Sequence, residues 1–140
     1  MPTLLSGIVY GLAGGLLGGI ITTIITKVMR KKITPESIIA KKFLGKKNKW
    51  YLVQIPLMAI WGAVFGALVM TELIVIGYFS AFLVSVFAWV LLNAVLLPLT
   101  SAGIFGIKRD KLVSIHSGIM HIVWAIVTAG TFSLLLNSFG

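Results

Sequence analysis

Cysteine is absent from the 140 residues, acidic side chains number three, and charged residues make up only 11% of the chain. Without cysteine there are no disulfides, thiolate metal sites or cysteine nucleophiles. The three acids are Glu36, Glu72 and Asp110, and none lies within an apolar run. Carboxylate relays and acidic cation sites inside a membrane span therefore have no candidate. Serine-hydrolase, phosphate-loop and zinc-protease spacings are missing too. The sequence leads us to expect no catalytic residue, no metal site and no cofactor.

Charge is scarce because apolar residues take its place. Hydrophobic residues make up 59% of the chain, with a mean hydropathy of +1.08, whereas about a quarter of a soluble domain is charged. This composition is that of an all-α integral membrane protein. The length allows one transmembrane domain over 1–140 and no soluble catalytic domain beside it.

The +9 formal charge would suggest nucleic acid if the chain were soluble, but its distribution argues otherwise. Lys27, Arg30, Lys31, Lys32, Lys41, Lys42, Lys46, Lys47 and Lys49 lie between the first two apolar runs. Lys108, Arg109 and Lys111 lie between the last two. By the positive-inside rule both connections are cytoplasmic and both termini lie outside the cell membrane. Arg30, Lys31, Lys32, Lys41, Lys42, Lys46 and Lys47 are the candidate contacts to anionic lipid headgroups, each adding up to about 1 kcal/mol of attraction. No nucleic-acid partner is expected.

Spanning helices are expected over about 4–29, 50–70, 73–97 and 112–136. No basic residue precedes the first run, and Lys27 to Lys32 follow it, the reverse of a cleaved signal peptide. The first helix carries Gly7, Gly11, Gly15 and Gly19 on one face, a pattern that lets a second helix approach almost to backbone contact. Gly62 and Gly66 repeat the spacing in the second helix, beside Ala59, Ala63 and Ala67. Gly77, Ala81 and Ser85 repeat it in the third.

Between the first two spans, Thr34, Pro35 and Glu36 form a helix start and Gly45 a stop. The resulting short amphipathic helix, about 35–44, places Ile39, Ala40, Phe43 and Leu44 opposite Lys41 and Lys42, so it is expected to lie in the cytoplasmic interface. Trp50 and Tyr51 are expected to anchor the second span at that interface, and Pro56 lies within it. Only Thr71 and Glu72 part the second and third runs, which predicts a tight hairpin. The apolar segment after Pro98, LTSAGIFGI, is expected to pack back on the bundle. Matching Gly11, Gly15 and Gly19 to Gly77, Ala81 and Ser85, and Trp61 to Trp124, suggests two repeated helical hairpins of one orientation.

Counting 1.5 Å per residue, Thr22, Thr23, Gln54, Asn93 and His116 fall at similar depth, and His121 lies deeper. This polar layer would join the helices by hydrogen bonds, or it would hold a lipid headgroup, a quinone carbonyl or a small ligand. His116 and His121 are about 140° apart round a helix and cannot share one ion. A haem or copper role with Met58 or Met120 would need a complete ligand shell. Glu36 and Glu72 read as caps or partners for lysine.

The glycine-rich first helix, TPESIIAKKFLG, WGAVFG, AWVLLNAVLLPLTSAGIFG and IHSGIMHIVWAIVTAG together resemble the YagU-like four-helix membrane proteins. The resemblance rests on Trp89, Pro98, Gly103, Phe105, Gly106 and His116, with Gln54 standing where that pattern often has a histidine. It implies a four-helix fold and no established activity.

The functional expectation is a non-enzymatic packing or accessory subunit of a membrane complex. In it the first helix would bury Gly7, Gly11, Gly15 and Gly19 in its own bundle and turn Gly14 and Gly18 to a partner. A homo-oligomeric channel or small transporter is the alternative. A haem- or quinone-contacting subunit of a redox complex is the third.

Overall fold

The computed structural model describes residues 2–30, 33–45, 49–100, 103, 105 and 112–140. Among them the chain is all-helical: α1 (Leu4–Val28), α2 (Pro35–Leu44), α3 (Tyr51–Met70), α4 (Tyr78–Leu91) and α5 (Val113–Phe139). A π turn at Leu92–Leu96 and a 3-10 turn at Leu97–Leu99 prolong α4. With that extension, α1, α3, α4 and α5 are each long and apolar enough to cross a membrane. The π turn has a local cause. A proline ring at 98 would collide with the carbonyl four residues back in a regular helix, and a wider turn removes the collision.

Helix ends follow the sequence signals closely. Thr3 and Ser6 form a reciprocal capping box at α1, and Thr34 and Ser37 form another at α2, each satisfying backbone N–H groups that a helix leaves open. Gly45 closes α2 at φ +65°, where a side chain would be strained.

The connection between α3 and α4 differs from the predicted tight hairpin. Glu72 takes φ +60° and donates its N–H to Val69, while the Leu73 N–H reaches Leu68 O at 3.0 Å. That is a Schellman closure, and it turns Leu73 to Gly77 out of the helix. Gly77 becomes the N-cap of α4, with no described heavy atom within 4 Å of where its Cβ would stand. It therefore leaves the expected small-residue ladder, in which Ala81 and Ser85 remain buried.

In space the order is α3, α1, α5, α4, with α1 packed between α3 and α5 and only sparse contact between α3 and α4. Gly7, Gly11 and Gly15 meet Gly62 and Gly66 backbone to backbone. A Cβ on Gly15 would come within 2.8 Å of Gly62 Cα, and one on Gly62 within 2.6 Å of Gly15 Cα. Gly19 lies over Ile55 and Met58 of the same helix.

Gly14 and Gly18 do not form a free face. Gly14 lies on the backbone of Thr128, Gly18 on the indole of Trp124, and both are buried. Two glycine rows let α1 receive α3 on one side and α5 on the other. Around this junction Met58, Phe65, Trp124, Ala129 and Phe132 form the main core, with Phe65 and Phe132 edge to face at 5.5 Å.

The short helix α2 is buried by length and not by face. Thr34 to Ala40 are buried on all sides, whereas Lys41 to Leu44 are exposed, Phe43 and Leu44 included. Ile38 and Ile39 close against Leu92, Leu97 and Val113, so the helix enters one end of the bundle instead of lying across it. Trp50, expected at an outer interface, is buried as well. Tyr51 instead takes Lys27 Nζ over its ring at 4.8 Å. Pro56 is accommodated on the outer side of an unbroken α3.

Of the predicted headgroup contacts, Arg30, Lys41 and Lys42 are exposed at the end that receives α2. Lys31, Lys32, Lys46 and Lys47 lie outside the described residues, as do Gly106, Lys108, Arg109, Asp110 and Lys111. In the segment after Pro98, Phe105 stacks at a tilt on Trp89 at 5.5 Å, and most of its neighbours are outside the described residues.

Candidate functional site

The expected polar layer resolves into separate ties. On α1, Thr22 donates its hydroxyl to Gly18 O at 2.9 Å and accepts from Gln54 Nε2 of α3 at 2.8 Å. Thr26 shares a hydrogen bond with His116 Nε2 of α5 at 3.2 Å. Trp124 Nε1 donates to Met58 O at 3.1 Å, and Trp89 Nε1 to Ser114 O at 2.9 Å, so each indole pins α5 to a neighbour. Asn93 does not join the layer. Its amide donates to Trp89 O of its own helix, and its Oδ1 is buried without a partner among the described residues. Thr23 Oγ1 is buried in the same condition.

Where α3 and α4 part, a crevice of about 320 Å³ opens over the half of the bundle nearer α2. Its rim carries the exposed residues Ile60 and Val95, and its floor the buried residues Met58, Ala88 and Leu92. Trp61 and Phe87, edge to face at 5.9 Å, bridge the two helices at the far end of the seam. Among the described residues, the apolar and aromatic walls are interrupted by three side chains with a carboxyl, amide or imidazole group.

Those three are Glu36, Gln54 and His121, which come from α2, α3 and α5. Glu36 is brought there by the insertion of α2, and it is 5% exposed. Burial pushes its carboxyl up to about 7 against the opposing pull of its own backbone N–H and the Thr34 hydroxyl. It is therefore a titratable group inside the protein, in the first turn of α2 and near neutrality.

Gln54 commits its amide to Thr22, which leaves the side-chain oxygen with no partner among the described residues. His121 Nδ1 lies 2.7 Å from Ser117 O. A carbonyl only accepts, so a neutral ring carries its proton on Nδ1 and keeps Nε2 as an acceptor. His121 also borders a second cavity of about 210 Å³ on the other side of α4, with Ser85 and Gly118.

Sequence reasoning placed Gln54 and His121 in the polar set but missed Glu36, and nothing in a helix wheel could have found it. The one available signal was an acid in the first turn of a helix, with the apolar Ile38 and Ile39 following one residue later. Comparison with protein-family models, with curated proteins and with solved structures finds no match to this chain.

Proposed function

We propose that the chain is a non-enzymatic multi-pass membrane protein that takes a small membrane-dissolved molecule into the crevice between α3 and α4, as a small transporter or carrier. The crevice carries this reading. It has an exposed apolar rim, a buried floor and three polar side chains in an otherwise apolar lining, the form of a site that accepts an apolar body and orients it by a few polar contacts. With the chain set in a bilayer by its four apolar helices, the rim faces lipid, and a ligand enters sideways. On the positive-inside rule, the end of the bundle that receives α2 is the one this reading assigns to the cytoplasmic side.

The accessory-subunit reading drew on a glycine face left over for a partner, and Gly14 and Gly18 are spent on α5. The crevice therefore supports the carrier reading better. Native mass spectrometry of the protein released from its own membrane tests it. Wild type and a Leu83→Phe control on the exposed side of α4 should retain a bound small molecule, and Ala88→Phe, which fills the floor, should lose it. Release without any bound mass would overturn the reading, and release with a second polypeptide at fixed stoichiometry would restore the subunit.

A further inference from the structure

The polar side chains that line the crevice have a definite hydrogen-bonding character. Gln54 offers a carbonyl oxygen, His121 in its neutral form offers a ring nitrogen, and Glu36 offers a carboxyl. Gln54 and His121 are 2% and 7% exposed, and neither of those acceptor atoms has a partner among the described residues. Three acceptors in an apolar recess fit a head that only donates. A primary ammonium has three N–H donors, no acceptor and a charge opposite to that of the carboxylate.

We propose that the crevice binds primary alkylammonium amphiphiles, with the ammonium among Glu36, Gln54 and His121 and the alkyl chain leaving between Ile60 and Val95 into the lipid. The proposal rests on the carrier reading above and names the chemical class of its ligand.

Charge balance decides how such a ligand is held. A buried ammonium without a counter-ion would be strongly unfavourable, and a carboxylate beside it removes most of that penalty. Glu36 is the acid of the crevice. Among the described residues the other titratable group lining it is His121 of α5, while α3 and α4 contribute no charged side chain there. His116 of α5 is engaged with Thr26, and Lys41 and Lys42 of α2 are exposed at its far end.

Because burial holds the Glu36 carboxyl up near 7, the acid is protonated when the site is empty below neutrality. Binding then exchanges one proton for one ammonium: the neutral acid gives its proton to solvent, and the carboxylate formed pairs with the alkylammonium. Loading with amine is thus opposed by acid. Protonation of His121 would oppose it in the same direction, by removing an acceptor and adding a like charge.

Dodecylamine and dodecanol, titrated separately into the purified protein in nanodiscs and read by native mass spectrometry, test the proposal. At pH 8 the amine should bind at least tenfold more tightly than the alcohol. Glu36→Gln should erase the difference while leaving dodecanol binding in place. Below pH 7 the amine's apparent affinity should fall about tenfold per pH unit. A pH-indicator dye should report one proton released per amine bound at pH 6, and none for the alcohol.

This last measurement uses wild-type protein and does not depend on the variant folding. Equal binding of amine and alcohol would sink the ammonium assignment and leave the crevice reading standing. A preference for amine that survives Glu36→Gln would overturn the assignment to this site. Binding of neither probe to the wild-type protein would remove both readings.

Discussion

The indole of Trp124 lies directly on the bare backbone of Gly18, so close that a Cβ added there would stand 2.8 Å from Cδ1 of the ring. The same indole donates to the Met58 carbonyl of α3, and one side chain thereby joins three helices. Replacing Gly18 by leucine should destabilise the isolated protein by about 1–3 kcal/mol or more, the usual range for overpacking. The measurement is the melting temperature in detergent alongside the oligomeric state. A variant as stable as wild type that merely lost association would return Gly18 to a partner surface.

The α1 to α3 seam predicts a sharper contrast. Gly15→Leu must force two backbones apart, since even a Cβ meets Gly62 Cα at 2.8 Å, and it should abolish the folded bundle or cost several kcal/mol. Leu16→Ala, one residue on and 43% exposed, should change stability by less than about 0.5 kcal/mol as other surface substitutions do. Equal tolerance of the two in a thermal unfolding assay would contradict the observed packing.

Thr22 and Gln54 provide a measurable polar coupling. A double-mutant cycle with Thr22→Val and Gln54→Leu should return an interaction energy near 0.6 kcal/mol, the average for such bonds in membrane bundles. Asn93→Leu should cost less than Gln54→Leu, because it removes a buried oxygen that has no partner among the described residues and breaks a bond only within its own helix.

Glu36 predicts a pH dependence of stability with a definite sign. Its carboxyl is raised from 4.5 to about 7 in the folded protein. Between those values the folded state holds a proton that the unfolded state has released, so stability falls as pH rises through this window and levels off above it. The total is on the order of 3 kcal/mol, at about 1.4 kcal/mol per pH unit. The difference in melting temperature between wild type and Glu36→Gln should widen in favour of the variant from pH 5 to pH 7. A constant difference would show that the acid is not buried.

These particulars mark where sequence reading succeeds and where it stops. The four apolar helices and the capping signals at Thr34 and Gly45 are local properties, written in composition and spacing, and they were legible. The uses of Gly14 and Gly18 were not, because the same spacing serves an outer partner or a neighbouring helix equally well.

The burial of α2 was missed for a related reason. A wheel assigns residues to faces, while the depth of Glu36 depends on a gap left between α3, α5 and the end of α4. Gly77 fell out of its ladder because the Schellman turn at Glu72 ends α3 and leaves Leu73 to Gly77 to connect to α4 outside any helix. The break at Thr71 and Glu72 marks that turn in the sequence, but the apolar Leu73 to Ile76 carries no sign that α4 starts only at Tyr78.

The seating of α2 also has a consequence for biosynthesis. Ile38 and Ile39 fit against Leu92, Leu97 and Val113, all of which leave the ribosome after them. The first connection is therefore made before the walls that receive it exist, and α2 cannot be fully seated until Val113 of α5 has been made. The crevice, which Glu36 of α2 and His121 of α5 both line, is therefore complete only once the chain through α5 has been made.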